Sequence, residues 1–524
     1  MKNCIPILVL LLGFKFFLVS CESEKSIAIN EQVTTDKGLV SGVFDSQSEI
    51  TVFKGIPFAA PPVGDLRWKA PKEAMAWQGV KVCDTFSASP IQATPVPFMM
   101  WTQEFIAPKE PLSEDCLYLN VWTAAKSAEE KRPVFVYIYG GGFSSGSGAV
   151  PIYDGTEMAK KGLVFITVNY RVGTMGFLAH PELTAESPNH ASGNYGLLDQ
   201  VEALKWVQKN CKAFGGDPNN VTIAGQSAGA FSINYLVASP LSKGLFHRAI
   251  AESGGAVLGS SALARGSNLE TAEEAGVKFA ESLGASSITG LRAKSADEIL
   301  NGRGPGIPIV DGYFLPESVG EIFAQGKQND VPVIMGWNQD EGFGGAPVPA
   351  DQFKERAKQL FGDKADAFLK LFPVETDEAA FALQNDLGAL QTFGIQSYKW
   401  MQLQNQTASS KVFMYRFEKD VPYAEGMNDY GAFHTGEVPY AYNNLKMSPR
   451  PWTEADSKVA ETMSDYWVNF AKNGDPNGDD LPHWEACSPD NLKAMRFNAE
   501  TKGAELPNID LLNFLDNFYS NQSK

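Results

Sequence analysis

The sequence has no C-x-x-C pair and no cysteine–histidine spacing of the zinc type, so a structural zinc module is excluded. No run of five or six like charges occurs, and no internal repeat, low-complexity stretch or linker lies between about Val33 and Leu515. Basic residues are in deficit: 44 Lys and Arg stand against 61 Asp and Glu, a net charge of −17. A field of that sign repels phosphate backbones and anionic membrane surfaces, which argues against nucleic-acid binding. Long apolar runs are also missing. The best candidate, Ile5 to Phe14, is closed off by Lys15 and falls short of the roughly 20 residues that span a bilayer.

What is present fits a large globular chain: 524 residues, 44% hydrophobic, with 48 Gly and 31 Pro. At about 150 residues per domain, length alone would allow three or four domains. Residues 1–20 have the form of an export signal, with Lys2, an apolar middle and a small residue at the end. Leu18-Val19-Ser20-Cys21 resembles a bacterial lipobox, which predicts lipid attachment at Cys21, residues 21–32 as a tether, and a location in the cell envelope. Plain secretion is the alternative. Four cysteines remain beyond Cys4 and Cys21, namely Cys83, Cys116, Cys211 and Cys487. Export permits a Cys83–Cys116 disulfide, and four buried free thiols are the other outcome.

Continuous apolar runs at Val134–Tyr139, Leu163–Val168, Val221–Ala224, Val331–Met335 and Lys411–Tyr415 predict strands buried on both faces. Between them, Val201, Leu204, Val207 and Cys211 step at helical spacing, and Thr453 with Asp456 forms a capping box ahead of Val459. Leu39–Val43 and Ile50–Phe53 predict antiparallel strands at a sheet edge. The expected fold class is α/β: a mostly parallel sheet covered by helices, with reacting groups on loops past the strand carboxyl ends.

Two stretches match G-x-S-x-G: Gly225-Gln226-Ser227-Ala228-Gly229 and Gly142-Phe143-Ser144-Ser145-Gly146. A nucleophile elbow needs a strand before the serine and a helix after it. Val221–Ala224 supplies the strand for Ser227, whereas Ser147, Gly148 and Pro151 make the second stretch a loop. That loop has its own use. Tyr139-Gly140-Gly141-Gly142-Phe143 follows a buried strand, and glycines there let backbone N–H groups approach a substrate oxygen.

At these residues the chain resembles the type-B carboxylesterases, the carboxylesterase, cholinesterase and fungal-lipase group of the α/β-hydrolase fold. Phe214-Gly215-Gly216 through Gly229 matches the serine signature of that family. Glu114-Asp115-Cys116-Leu117-Tyr118-Leu119-Asn120-Val121-Trp122 matches its second signature, with Ala124 where proline is usual. Phe53–Ala59, Asn169-Tyr170-Arg171 and Gly193–Asp199 match as well. The resemblance implies a triad of Ser227, an acid and a histidine, with oxyanion donors on Gly141, Gly142 and Ala228. Gly336-Trp337-Asn338-Gln339-Asp340-Glu341-Gly342 resembles the acid loop, giving Glu341, with Asp340 as the fallback. His434, in Phe433-His434-Thr435-Gly436, resembles the family histidine, and His483 fits a structural segment. Ser253 matches a serine lying behind the triad. The family pairs the Cys116 position with an upstream cysteine, and Cys83 stands a few residues early for that bridge. Gln226 replaces the commoner glutamate beside the nucleophile.

Such a site implies hydrolysis of small-molecule carboxylic esters through an acyl-enzyme, with no metal or cofactor, and contact with a membrane only through the N-terminal anchor. A long-chain lipase is the nearest alternative. A non-catalytic adhesion member of the fold would lack a triad residue, and none is lacking here. Ser227, Glu341 and His434 lie far apart in sequence, so residues 33–524 are expected to form one catalytic domain. Pro97-Phe98-Met99-Met100-Trp101 is an apolar patch that either lines the entrance to the site or packs as a loop.

Overall fold

The computed structural model describes residues 29, 32–260, 266–342, 346–423 and 426–522. The export signal, Cys21 and most of the tether lie outside these residues. Among the described residues, eleven strands form one sheet: β1 (Val43–Asp45), β2 (Ile50–Pro57), β3 (Tyr118–Thr123), β4 (Arg132–Ile138), β5 (Val164–Val168), β6 (Gly216–Gln226), β7 (Arg248–Glu252), β8 (Val333–Asn338), β9 (Val412–Phe417), β10 (Lys493–Phe497) and β11 (Lys502–Glu505). Their order across the sheet is β11-β10-β9-β8-β7-β6-β4-β5-β3-β2-β1. From β10 to β5 every neighbour is parallel, and antiparallel strands close both edges.

The pattern follows from the side chains. Every residue of β5, β8 and β9 is buried, as the unbroken apolar runs require when both sheet faces are covered. At the edge, all three residues of β1 are exposed. The stretch Leu39–Val43 does not act as a unit. Gly38–Ser41 joins a separate three-stranded sheet with Val33–Thr35 and Val80–Val82, and only Val43 onward reaches the main sheet.

The helical stripe at Val201–Val207 lies in α1 (Tyr195–Asn210). Next comes α2 (Ala228–Ala238), buried along its whole length against β6 and β7. The predicted capping box opens α3 (Glu454–Asn473): Asp456 N–H donates to Thr453 Oγ1, and the Asp456 carboxylate accepts the Thr453 N–H.

Two sequence motifs prove to be structural fasteners. Arg171 forms a buried bidentate pair with Asp199, at 2.8 and 2.7 Å, joining the loop after β5 to α1. Arg67 likewise grips Glu114 of the second signature.

The Cys83–Cys116 disulfide is not formed, and all four cysteines from Cys83 onward are buried free thiols. Residue positions along β2 explain this. The Cys83 carbonyl accepts the Lys54 N–H, whereas Leu117, next to Cys116, accepts the Phe58 N–H. Four residues along a strand span about 13 Å. A disulfide bridges Cα atoms about 4.4–6.8 Å apart.

Candidate active site

The segments past the carboxyl ends of β4, β5 and β6 and the loop after β9 meet at one cavity of about 1220 Å³, lined by Gly140, Gly141, Gly142, Val172, Ser227 and His434 among others. Ser227 sits between β6 and α2 at φ 56° and ψ −126°, a strained conformation for a residue with a side chain. Backbone bonds hold it there. Its N–H donates to the Glu252 carbonyl at 2.8 Å, and its carbonyl accepts the Phe231 N–H at 2.9 Å. The turn is tight enough that a Cβ on Gly229 would lie 2.1 Å from the Ile138 oxygen, so only glycine fits. Strain of this kind keeps the hydroxyl projecting into the cavity.

Across the cavity, Gly141, Gly142 and Phe143 take φ values of 121°, 61° and 59° in succession. A Cβ at Gly141 would lie 2.3 Å from the Ser145 oxygen. The loop is braced by the Gly173 N–H, which donates to the Phe143 carbonyl at 2.6 Å.

His434 Nδ1 lies 2.7 Å from Glu341 Oε2. A carboxylate can only accept, so Nδ1 carries the proton and Nε2 is left as the basic nitrogen. The other carboxylate oxygen, Oε1, accepts the Asn338 N–H at 2.7 Å, fixing Glu341 to the end of β8. His434 and Glu341 are 3% and 1% exposed, so water barely screens the pair. Asp340, the fallback acid, points elsewhere. It accepts the Ala432 N–H at 3.0 Å and the Asn385 side chain at 3.2 Å, clamping the histidine loop from outside.

One neighbour of His434, Phe393, carries no signal in the sequence. The Phe393 ring stacks on the imidazole, centroids 4.6 Å apart at 12°, and it belongs to a π-helical turn, Leu390–Gly394. Such turns recur at functional sites, and no local motif announces them. Trp101 meets the imidazole edge-on and donates its Nε1–H to Thr435 Oγ1 at 3.2 Å. The apolar patch divides between the two alternatives expected for it. Phe98 and Trp101 line the cavity, while Met100 packs inward. The Gln226 amide lies 3.3 Å from His434 Nε2 and its carbonyl accepts from Thr435. Ser253 is buried at φ 57°, its N–H bonded to the Gly336 carbonyl at 3.0 Å, just past the Glu252 carbonyl that holds Ser227.

Near Glu341 lie two further buried acids, Glu252 and Glu437. Burial pushes Glu252 up to about 8, against the hydrogen bonds it accepts from Trp467 Nε1 at 2.7 Å and the Tyr442 hydroxyl at 3.1 Å. Burial, together with the charges of Glu252 and Glu341, holds Glu437 well above the usual carboxylate range. Because its folded-state pKa is raised, Glu252 contributes stability that is full below the unfolded carboxyl pKa, about 4.3, and is lost as pH rises toward about 8. Glu252→Gln stays neutral and keeps an acceptor oxygen. It is expected to flatten the fall in Tm between pH 5 and pH 8. Equal losses of Tm in variant and wild type over that range would contradict the assignment.

A doubly wound, mostly parallel sheet with a strained serine at a strand-to-helix turn defines an α/β-hydrolase. The carboxylesterase family model matches residues 29–512, and the chain belongs to that family as a carboxylic ester hydrolase. It is 37% identical to the fumonisin B1 esterase of Sphingopyxis macrogoltabida over 474 residues, covering 86% of this chain and 83% of that one. It is 34% identical to human cocaine esterase over 489 residues, covering 86% and 85%. With the para-nitrobenzyl esterase of Bacillus subtilis it shares 32% identity over 498 residues, covering 89% and 95%.

Proposed function

We propose that the chain cleaves carboxylic esters through an acyl-enzyme on Ser227, with His434 as general base and acid, Glu341 orienting the imidazole, and the N–H groups of Gly141, Gly142 and Ala228 as oxyanion donors. The observation that carries this reading is the buried 2.7 Å contact of His434 Nδ1 with Glu341, opening onto the cavity that holds Ser227. Ser227 is a weak nucleophile until its proton is removed. His434 takes that proton as the hydroxyl attacks the ester carbonyl, and returns it to the departing alcohol. Glu341 stabilises the imidazolium that forms in between. The negative charge on the carbonyl oxygen falls among the glycine-loop N–H groups, each worth about 3–4 kcal/mol by analogy with removal of one such donor. Water then attacks the acyl-enzyme with His434 again as base, releasing the acid.

All three relatives named above are esterases by name, which supports ester over amide cleavage. We also propose that the enzyme is exported and lipid-anchored at Cys21, on the strength of Leu18-Val19-Ser20-Cys21 alone. An esterase should work best on short, dissolved esters, and a lipase on long chains at an interface. Initial rates over 4-nitrophenyl esters from acetate to palmitate are expected to peak at short to medium acyl chains below the solubility limit. A jump in rate above that limit, with long chains preferred, would favour the lipase reading.

A further inference from the structure

Among the described residues that line the cavity, only Asp297, Arg303 and His434 have side chains of the titratable charged types. His434 is committed to Glu341. Arg303 is exposed, and its side chain has no ion-pair or hydrogen-bond partner among the described residues. Arg303 is thus the one cationic side chain besides His434 among the described lining residues, it has no ion-pair partner among them, and it stands in a chain of net charge −17.

The backbone under Arg303 is built rather than loose. Arg303 lies at φ 51°, in the left-handed region that a side chain makes costly, although a glycine stands on either side. Those glycines pin the turn. A Cβ on Gly302 or on Gly304 would each lie 2.7 Å from the Phe279 ring, so both press their backbone directly on it. Further on, Gly306 packs against Gly173, whose N–H braces the glycine loop opposite Ser227. The turn that carries Arg303 is thus fixed at one end on a buried aromatic and at the other beside the oxyanion loop.

Resting on the serine-esterase reading, we propose that Arg303 is an anion subsite, and that the preferred substrates are esters carrying a carboxylate away from the scissile bond. A guanidinium matches a carboxylate through two parallel N–H donors and loses less hydration than an ammonium would. Phe98, exposed on the wall of the same cavity, offers an apolar surface to the body of such an ester. Asp297 is the one cavity-lining group that would favour the opposite charge, and the test includes that alternative.

The experiment compares matched esters on the full-length wild type, Arg303→Gln and Arg303→Glu. On the acyl side, the 4-nitrophenyl hemiesters of glutaric and adipic acid are set against 4-nitrophenyl pentanoate and hexanoate. On the alcohol side, 4-carboxyphenyl acetate is set against 4-carbamoylphenyl acetate and 4-trimethylammoniophenyl acetate. In at least one series the anionic-to-neutral ratio of kcat/KM is expected to drop about threefold to tenfold in Arg303→Gln, through KM, and further in Arg303→Glu. In the wild type the same ratio should fall as salt is raised, because an ion pair at a solvated wall is screened. Each ratio is taken within one variant, so partial misfolding cancels. Ratios unchanged by both substitutions in both series, or a wild-type preference for the trimethylammonium ester, would overturn the subsite. If Ser227→Ala hydrolysed the neutral esters as fast as wild type, the serine mechanism would fail instead, whatever Arg303 does.

Discussion

Ser227→Ala is expected to lower kcat for 4-nitrophenyl butyrate by about 10⁴- to 10⁶-fold while leaving the unfolding midpoint close to wild type. The size of the effect follows from what remains. Without the hydroxyl there is no acyl-enzyme, yet the glycine loop can still polarise a bound carbonyl and His434 can still activate water, so a residue of catalysis survives. The stability expectation has a separate basis. The strain at φ 56° is held by the Glu252 and Phe231 backbone bonds, which alanine keeps, and removing one hydroxyl that faces the cavity leaves no buried donor unpaired. Turnover within tenfold of wild type, in a sample shown free of contaminating esterase, would remove Ser227 from the reaction.

Glu341→Gln is expected to cost about 10³- to 10⁴-fold in kcat, and Asp340→Asn less than about tenfold. The two side chains are neighbours in sequence but face different groups. Glutamine at 341 no longer supplies a carboxylate to stabilise the imidazolium. Its amide can also present a donor to Nδ1, selecting the tautomer that leaves no free base toward Ser227. Asparagine at 340 keeps one acceptor for the Ala432 N–H and weakens only the bond from Asn385. Its effect should appear as a small loss in kcat with KM little altered, since the histidine loop is loosened rather than disarmed. The reverse ranking would transfer the acid role to Asp340.

Much of the candidate site could be read locally because each proposed catalytic element is announced by its own short stretch. An elbow serine needs small residues packed against the preceding strand, so Gly225, Ala228 and Gly229 are visible beside it. The loop proposed to hold the oxyanion needs glycines for the same steric reason. Phe393 gives no such signal. It stacks on His434 from a π-helical turn, and nothing about an isolated Leu-Gln-Thr-Phe-Gly marks that turn. Glu252 and Glu437 were equally silent, since a glutamate in sequence looks like surface until the sheet and α3 bury it. Of the two outcomes open for Cys83 and Cys116, the fold selects free thiols, because the two cysteines meet different stretches of the Lys54–Phe58 segment.

The sequence by itself determined the alternation of buried strands and helices, the elbow at Ser227, and the residue types a serine esterase requires, because these are set by local sterics and hydrophobic patterning. Only the tertiary structure decided which acid meets His434, that Arg171 and Asp199 fasten two motifs together, and that Arg303 stands at the cavity wall with no ion-pair partner among the described residues. Those outcomes depend on distances between chain segments far apart in sequence, and such distances exist only once the sheet has ordered its strands.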